Sequence, residues 1–270
     1  MISLVTTPTH EWLEEQVSGC RKRFVVACPY VGSYFANLSK RLSKDVTRVL
    51  VTRTDLRDFA KGASDIEAVC ESARLGACVM SLPRLHAKVY IIDNRAALVT
   101  SANATYSGMR RNWECGIALT DEREISQLTK LVDKGFGATE QPQRWTLSEL
   151  ESLKEPVRVL RESLPPSVPT LTTGMEDHPK LVLSRRHWMQ LNTGLPGWMR
   201  LTLEGVAGQL RDEFDIHDVY HICLPLVARR YPSNKFPREK LRQQLQRLRD
   251  LGMIEFLGEG RYRRTVKAQN

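Results

Sequence analysis

Apolar and polar positions follow two different periods along residues 1–135. Short apolar runs typical of strands are separated by stretches in which apolar residues recur every three to four positions, as in amphipathic helices. The predicted strands are Phe24–Ala27, Val46–Thr52, Ala77–Ser81, Ala87–Ile92, Ala96–Thr100 and Glu114–Leu119. The predicted helices are His10–Cys20, Tyr34–Leu42, Ser64–Leu75 and Glu124–Gly135. This alternation predicts an α/β sandwich around a mixed sheet.

Residues 146–174 form a separate segment of the pattern. It starts with a helix, which Pro156 breaks or kinks. Leu164–Gly174 then holds three prolines and no charged residue, which is typical of an extended linker. We therefore predict one domain over residues 1–145 and a second, smaller domain over residues 175–270, with the helix and linker between them.

The last third of the chain has a different pattern. An Asp-rich turn leads into an apolar helix, Val219–Ala228, and a proline then opens a basic helix, Arg238–Leu251, with leucines at helical spacing. Gly252 is placed to end this helix. Met253–Leu257 and Arg261–Val266 are strand-like and separated by a glycine-rich turn. Helix, turn, basic helix and hairpin together predict a winged-helix domain.

Three polar groups follow one another between residues 85 and 114. His86 and Lys88 are two apart in a strand-like run, so their side chains should project from the same face. Two cations side by side repel, and an anion such as phosphate would relieve that repulsion. Ser101 and Asn103 follow in a turn, and Glu114 comes next. This set contains a potential nucleophile, a fixed cation, an amide and a carboxylate.

The spacing resembles the signature of the phospholipase D superfamily, which is His-x-Lys, four residues, Asp, six residues, and Gly-Ser/Gly-x-Asn. The chain matches this signature at His86, Lys88, Asp93, Ser101 and Asn103. Thr100 stands where the family usually has Gly, which changes the turn but removes no chemical group. Asp93 falls at the end of the predicted strand, near the site, and we favour a structural role in which it pins the following turn.

The resemblance extends to both sides of the signature, over roughly residues 10–135. Arg23–Tyr30 is similar to the opening strand of the family with its Pro-Tyr end, and Arg110–Glu114 is similar to the Asn-x-Glu of the nuclease branch. Any one of these fragments alone would fit ordinary surface or turn residues. The complete set at its spacing indicates an active site.

The resemblance implies a covalent mechanism. His86 would attack phosphorus and form a phosphohistidine that water then hydrolyses. Glu114 would hydrogen-bond the far nitrogen of His86 and fix its tautomer, as the carboxylate does in a catalytic triad. Lys88 and Asn103, with Ser101, would bind the non-bridging oxygens and stabilise the charge that develops on them.

The chain carries a single His-x-Lys copy, although the reaction needs a nucleophile and a general acid for the leaving oxygen. The other histidines stand outside any His-x-Lys; they are His10, His178, His187, His217 and His221. In the family, single-motif nucleases form two-fold dimers with one composite site. We therefore expect a homodimer that forms through the catalytic domain.

No metal ion or other cofactor is expected. The sequence has no carboxylate cluster with two-metal spacing, and its six cysteines contain no Cys-x-x-Cys pair. Cys28, Cys78 and Cys115 lie in apolar strand-like runs, which predicts buried, reduced thiols. Free cysteines, no apolar run of membrane-spanning length and a start unlike a signal peptide favour a soluble cytoplasmic protein without a membrane partner.

The charge balance favours a polyanionic partner over a neutral lipid. The formal net charge is +9 and the isoelectric point is near 9.4. Residues 175–270 carry 17 Lys and Arg against 11 Asp and Glu, so +6 of the +9 lies in the last third of the chain.

Pro237–Tyr262 closely resembles the C-terminal winged-helix domain of certain restriction endonucleases, including methyl-adenine-dependent ones, and the resemblance covers roughly residues 210–264. It implies contacts with double-stranded DNA from the basic helix and the wing. The candidates are Arg238, Lys240, Arg242, Gln243, Gln244, Arg247, Arg261 and Arg263. Alternatively, some of them are internal salt-bridge partners of Glu239 and Asp250 on a solvated helix that covers a core.

The sequence thus predicts a metal-independent DNA phosphodiesterase, in the context of a restriction or defence nuclease. One alternative is a lipid or other phosphodiesterase of the same superfamily, against which the single motif and the basic last third argue. The other alternative is a catalytically silent DNA-binding regulator, against which the intact set of polar residues argues.

Overall fold

The computed structural model describes residues 2–137, 141–164, 181–209 and 211–268. Most of the predicted Pro-rich linker, residues 165–174, lies outside the described residues. The chain divides into two compact units, and each contains two separate stretches of sequence. The first unit comprises Met1–Thr54 and Gly62–Glu151, and the second comprises Asp55–Lys61 and Ser152–Asn270.

The first unit is built around one sheet, with helices and strands numbered here along the whole chain. Its strands are β1 (Ile2–Thr6), β2 (Arg23–Ala27), β3 (Thr47–Thr52), β4 (Cys78–Ser81), β5 (Val89–Ile92), β6 (Ala96–Thr100), β7 (Cys115–Leu119) and β8 (Gln143–Trp145). Its helices are α1 (Thr9–Ser18), α2 (Ser33–Lys40), α4 (Ile66–Arg74), α5 (Tyr106–Arg110), α6 (Glu122–Asp133) and α7 (Leu147–Glu151).

The eight strands pair in the order β1-β7-β6-β5-β2-β3-β4-β8. β2, β3 and β4 are parallel, whereas the other neighbouring pairs are antiparallel. The central strands are apolar and buried along most of their length, as expected where both faces of a sheet are covered. The predicted α/β sandwich around a mixed sheet is therefore confirmed.

The predicted polar residues lie near the ends of several strands, at one edge of this sheet. β2 and β3 run parallel and end at this edge, and antiparallel β5 begins there, with Ala27 paired to Val89. β6 ends and β7 begins at the same edge. The predicted strand Ala87–Ile92 starts only at Val89, so His86 and Lys88 lie in the extended segment that leads into β5.

The prediction of three buried strand thiols is partly wrong. Cys28 is fully buried, but Cys78 is half-buried and Cys115 is exposed. The reason is the burial pattern of β7, in which alternate residues are exposed because one face of this strand is uncovered. Cys115 lies on that face together with Ile117, and an apolar run alone does not distinguish a strand covered on both faces from one covered on a single face.

The second unit combines a helical part with a small sheet. Its helices are α3 (Leu56–Ala60), α8 (Lys154–Ser163), α9 (Arg185–Gly194), α10 (Gly197–Gln209), α11 (Ile216–Arg230) and α12 (Pro237–Asp250). Its strands are β9 (Leu181–Leu183), β10 (Glu213–Asp215), β11 (Ile254–Gly258), β12 (Arg261–Arg264) and β13 (Val266–Ala268). Within the described parts of both units, no helix is long and apolar enough to cross a membrane.

The predicted winged-helix elements are present in this unit. β10, β12 and β11 form a three-stranded antiparallel sheet beside α11 and α12. The stripe of leucines along α12 is buried, with Leu241, Leu245 and Leu248 completely inaccessible. Gly252 ends the helix with a φ of +69°, a backbone conformation that favours glycine.

Helix α3 was not predicted, and it belongs to the second unit although its sequence lies within the first predicted domain. The Asp55 carboxylate caps α3 by accepting a hydrogen bond from the backbone N–H of Arg57 at 2.7 Å. The N–H of Leu56 donates to the carbonyl of Leu251 at 3.2 Å, and Arg161 donates to carbonyls near the end of α3. A short segment after β3 therefore completes the C-terminal unit.

Candidate functional site

His86 and Lys88 differ sharply in burial. His86 is exposed, whereas only 8% of Lys88 is accessible. Lys88 Nζ donates a hydrogen bond to the backbone carbonyl of His86 at 2.9 Å. The charge of Lys88, partial burial and the charge of Arg53 lower the pKa of His86. The imidazole is thereby biased toward its neutral form, in which one ring nitrogen keeps the lone pair that a nucleophile needs.

The Lys88 ammonium is held among groups that favour its charge. Burial lowers its pKa, while the nearby Cys28 and Glu114 act in the opposite direction. Lys88 and Glu114 are therefore within electrostatic reach of each other. A half-enclosed cation beside an exposed imidazole is suited to an anionic ligand such as a phosphate group.

Glu114 is fixed by groups other than His86. Its carboxylate accepts hydrogen bonds from Ser101 Oγ and from Asn112 Nδ2, the latter at 3.2 Å. Its backbone N–H donates to Thr7 Oγ1 at 2.7 Å. The predicted hydrogen bond from the His86 ring to the Glu114 carboxylate is not formed within the chain, where the side-chain donors to this carboxylate are Ser101 and Asn112. Among the described residues no hydrogen bond involves the His86 side chain.

The turn that carries Asn103 is held from β2 and β5. Cys28 Sγ donates to Asn103 Oδ1 at 3.4 Å and accepts from the N–H of Ala104 at 3.2 Å. The buried hydroxyl of Tyr90 donates to the carbonyl of Ala102 at 2.9 Å. Because Asn103 Oδ1 faces a thiol donor, the Nδ2 group is the part of this amide suited to donate to a phosphate oxygen.

The departure from the family signature at Thr100 is accommodated by the neighbouring strand. Thr100 is paired with Gly116 in the sheet, and its hydroxyl donates to the carbonyl of Cys115 at 3.1 Å. A Cβ atom on Gly116 would lie 2.6 Å from the Cβ of Thr100. The space that Thr100 needs is therefore provided by the absence of a side chain at Gly116.

Asp93 has a structural set of contacts, but it lies at the opposite end of β5 from Lys88. Its carboxylate accepts hydrogen bonds from the backbone N–H groups of Arg21, Lys22 and Arg23 at 3.0, 2.8 and 2.8 Å. Burial opposes ionisation of Asp93, but these N–H groups outweigh it and lower the pKa. These bonds fit a role in pinning the start of β2, and its predicted position near the site is corrected.

A chain of contacts therefore brings together His86, Lys88, Ser101, Asn103 and Glu114 at one edge of the sheet. The sequence did not single out Arg53, whose guanidinium lies 5.7 Å from the centroid of the Tyr30 ring. It also did not single out Thr7, Asn112 or Cys28 as supports. The available signal was positional, since Arg53 and Tyr30 both follow buried strands that end at this edge.

The second candidate surface is the exposed side of α12. Arg238 and Arg242 are exposed, and their guanidinium groups lie 5.3 and 5.9 Å from the centroid of the Tyr220 ring. Lys240 and Gln243 are partly accessible and joined by a hydrogen bond of 2.8 Å. These four residues form a basic surface of α12 that is suited to a nucleic-acid backbone, and Arg261 of β12 is exposed as well.

Two of the predicted DNA-binding residues face the interior. Gln244 is 4% exposed and Arg247 is 6% exposed. They lie on the side of α12 that carries the buried leucines, so their predicted role as DNA contacts is corrected. The helical period places both residues near the boundary of the leucine stripe, and the polar character of a side chain does not reveal which side of that boundary it occupies.

Other arginines of this unit are paired with carboxylates, although the pairs differ from those that the alternative interpretation of the sequence names. Arg263 binds Glu213 at 2.8 Å and Glu255 at 3.5 Å. Asp250 accepts from its neighbour Arg249 at 2.7 Å. Arg263 therefore faces two carboxylates on the wing, and it is a weaker candidate for a DNA contact than the exposed residues of α12.

Two family models match separate parts of the chain. Residues 13–136 match the model described as "Cardiolipin synthase, PLD-like domain", and residues 196–264 match the model described as "Dam-replacing HTH domain". Both resemblances drawn from the sequence are therefore confirmed. The second match begins at residue 196, so it also includes α10, which the sequence pattern did not predict.

Solved structures resemble the chain at low sequence identity. NucT from Helicobacter pylori is 16% identical, with a TM-score of 0.45, and the match covers 54% of this chain and 99% of that one. Nuc from Salmonella typhimurium, a phospholipase D family member, is 16% identical, with a TM-score of 0.44 and coverage of 54% and 98%. Phosphatidylserine synthase from Haemophilus influenzae Rd KW20 is 17% identical, with a TM-score of 0.48 and coverage of 60% and 44%. No curated protein matches the sequence.

Proposed function

From a phospholipase D-like domain and a Dam-replacing helix-turn-helix domain in one chain, we propose that this protein is a metal-independent DNA endonuclease that acts as a homodimer. The observation that carries the proposal is the exposed, neutral-biased imidazole of His86 beside the enclosed ammonium of Lys88. The basic surface of α12 also supports the proposal, because it is suited to bind the DNA substrate.

The first chemical step is attack on a DNA phosphodiester. One ring nitrogen of His86 forms a bond to phosphorus, and the bond from phosphorus to the leaving oxygen breaks, which leaves a phosphohistidine. Lys88 and the Nδ2 group of Asn103 donate to the non-bridging oxygens, whose negative charge grows in the transition state. These two residues and the histidine supply the charge stabilisation that a metal ion would otherwise provide.

A second histidine acts in both chemical steps. In the first step it gives its proton to the leaving oxygen as the phosphorus–oxygen bond breaks, and in the second step it accepts a proton from the water molecule that attacks phosphorus and breaks the phosphorus–nitrogen bond. Each chain carries one His-x-Lys, so this second histidine is His86 of another copy. Glu114, with Ser101 and Asn112 bound to its carboxylate, is placed at the same edge to orient that imidazole in the composite site.

An uncovered apolar strip on the sheet supports the homodimer. Leu4, Ile117 and Val99 lie side by side on β1, β7 and β6, with exposures of 76%, 45% and 41%. Cys115, the first residue of β7, is exposed on the same face and directly follows Glu114. A contiguous apolar strip beside polar residues marks a protein-binding surface, and a second copy placed there would bring its own site residues close.

The oligomeric state is measured by sedimentation of the full chain, for which we expect a mass of about twice 30.8 kDa. Ile117→Glu should produce monomers and abolish cleavage, because a charge in the middle of an apolar interface is unfavourable. The control is Leu131→Glu, which changes an apolar residue of nearly equal exposure on α6, 44% against 45% for Ile117. A catalytically competent monomer would contradict the composite site.

Restriction or defence is the context we propose, because a helix-turn-helix module would confine an indiscriminate phosphodiesterase to selected sites. The test is cleavage of plasmid DNA, prepared with and without adenine methylation, in excess EDTA. We expect cleavage that depends on the methylation state and persists in EDTA. A strict requirement for a divalent cation would contradict the mechanism. Hydrolysis of phospholipid vesicles with intact plasmid would favour a lipid phosphodiesterase, and DNA binding without hydrolysis of either would favour a silent regulator.

A further inference from the structure

Arg53 lies at the same sheet edge as the nucleophile, although it is far from His86 in sequence. β5, β2 and β3 are neighbours, with Val89 paired to Ala27 and Ala27 paired to Val51. His86 precedes β5, and Arg53 is the residue directly after β3. His86 and Arg53 therefore lie on chain segments at the same edge of the sheet, on strands that are separated only by β2.

The Tyr30 ring orients the Arg53 side chain. Tyr30 follows β2, the strand between β5 and β3, and the guanidinium carbon of Arg53 lies 5.7 Å from the centroid of its ring. A cation over an aromatic ring at this distance is attracted by the ring, which restricts the rotation of a long side chain. The N–H groups of the guanidinium lie in its plane, where they can donate to two oxygens of one phosphate.

The electrostatic effect of Arg53 on His86 also indicates that the two side chains are close to each other. The titratable and charged groups that act on this part of the site are Lys88, Arg53, Cys28 and Glu114. Lys88 and Arg53 both act directly on His86 and disfavour its protonation. Two positive charges close to an exposed imidazole are stabilised when an anion binds between them.

We propose that Arg53, held against Tyr30, is a further phosphate-binding residue of the active site and acts together with Lys88 on the phosphate that His86 attacks. This proposal rests on the proposed phosphodiesterase function and adds a residue outside the family signature. Lys88 Nζ already donates to the His86 carbonyl. A second cation with a forked set of donors gives the non-bridging oxygens the partners that a single ammonium cannot supply.

The kinetic test uses the full chain and single-turnover cleavage of plasmid DNA. Arg53→Ala should lower the cleavage rate constant by about a hundredfold, because one preorganised donor to a transition-state oxygen is worth that much, and Arg53→Lys should lie between Arg53→Ala and wild type. The control is Arg123→Ala, which removes an exposed arginine at the start of α6 and should stay within about twofold of wild type, since no transition-state contact is lost. Equal rates for Arg53→Ala and Arg123→Ala, with unchanged melting temperatures, would overturn the proposal.

A binding test separates this proposal from the function of the protein. In the full chain with labelled histidines, inorganic phosphate should shift the NMR signals of His86, and Arg53→Ala should weaken that response severalfold. If DNA is never cleaved but phosphate binding depends on Arg53, the endonuclease function fails and the phosphate site stands. If DNA is cleaved and Arg53→Ala changes neither cleavage nor phosphate binding, the function stands and the role of Arg53 is refuted.

Discussion

The cation of the candidate catalytic site and the arginines of the second unit hold their positive charges in different ways, although the first unit also has arginine–carboxylate pairs outside that site, such as Arg23–Asp133 at 2.7 Å. In the first unit, Lys88 is nearly enclosed, and the hydrogen bond of its ammonium goes to a backbone carbonyl. In the second unit, cations bind carboxylates at short range, as in the pairs Arg249–Asp250 at 2.7 Å and Arg263–Glu213 at 2.8 Å. The site that we assign to chemistry therefore lies where positive charge is concentrated around a histidine, not where basic residues are most numerous.

This difference shows that a count of charged residues does not by itself identify a functional site. Residues 175–270 hold most of the net charge, yet one of their candidate DNA contacts, Arg247, is buried and another, Arg263, is paired with carboxylates. The exposed Arg238 and Arg242 are the ones whose charge can act on a partner. Before an interface is assigned, exposed basic residues must therefore be distinguished from basic residues that are buried or paired with carboxylates.

The largest expected effect follows from replacing His86, which tests whether chemistry and DNA binding are divided between the units. His86→Ala removes the proposed nucleophile and, in a homodimer, also the proposed general acid. Cleavage should fall by about a thousandfold or more, because residues that act in one covalent mechanism cannot substitute for each other. Rates are measured by single-turnover cleavage, and DNA affinity by fluorescence anisotropy at a fixed salt concentration.

The control for this prediction is the affinity measurement itself. His86 is exposed, so its replacement should leave the melting temperature and DNA affinity near those of wild type. Retention of more than a few per cent of the cleavage rate would remove His86 from the mechanism. A loss of affinity equal to the loss of rate would show that the two units do not divide the work.

The next effect separates an exposed arginine from a buried one on the same helix. Arg242→Ala should weaken DNA binding by about 1–3 kcal/mol if the contact is bidentate to a base, or give a shallower salt dependence if the contact is to phosphate. Arg247→Ala should instead destabilise the fold by about 2–4 kcal/mol, because it removes a side chain packed inside the unit. Both variants are measured in the His86→Ala background by anisotropy and thermal unfolding.

A reversed outcome would break the comparison between the units. If Arg247→Ala loses DNA affinity with an unchanged melting temperature, the buried side of α12 is available to DNA in solution. If Arg242→Ala binds like wild type at every salt concentration, the exposed side of α12 is not the interface, and the wing residue Arg261 is the next candidate.

The sequence was sufficient to select the candidate site residues that the structure brings together, because their spacing is a local property. His86 and Lys88 are two positions apart and both precede β5, although they differ in burial and are not on one face of a strand as the pattern predicts. The partner of Glu114 was not predictable in this way. Its hydrogen bonds to Ser101 and Asn112 depend on how the chain passes from β6 to β7, and the prediction from the family signature assigned its carboxylate to His86.

The composition of the second unit was harder to predict for a related reason. Helix α3 has five residues and lies in a connection between two strands of the first unit, so no local pattern shows that it packs elsewhere. Its place is determined by long-range bonds, such as that from the N–H of Leu56 to the carbonyl of Leu251. Patterns of period two or 3.6 identify elements, but they carry no information on which unit an element joins.

A smaller effect concerns the backbone that supports the catalytic edge. Gly116→Ala should destabilise the first unit by about 1–3 kcal/mol, because its new methyl group would meet the Thr100 side chain. Thr100→Gly/Gly116→Ala should recover part of the loss, because it removes the contact with the Thr100 side chain but leaves the contact with the Val99 carbonyl, 2.8 Å from the new methyl group. Thermal unfolding of both single variants and the double variant gives the coupling energy. Strictly additive losses would contradict the direct contact.

The smallest expected effect is a shift of the pH optimum of cleavage, which depends on the positive charges near His86 in the first unit. Lys88, partial burial and Arg53 lower the pKa of His86 below its ordinary value of 6.5. In a composite site, one copy of His86 must be neutral to attack phosphorus and the other must be protonated to assist the leaving group. The value of kcat/KM should therefore follow a bell-shaped curve whose two limbs belong to the histidine pair.

The lowered pKa of His86 determines the direction in which the pH optimum shifts. The singly protonated pair is most abundant at a pH near the pKa of the free enzyme, so the optimum of kcat/KM should lie below pH 6.5. Part of the shift is Coulombic and is screened by salt, so the His86 pKa measured by NMR should rise toward 6.5 as ionic strength increases, while the contribution of burial remains. A rate that rises with pH to a plateau, without an alkaline limb, would mean that only a neutral histidine is required and that the second histidine takes no part as an acid.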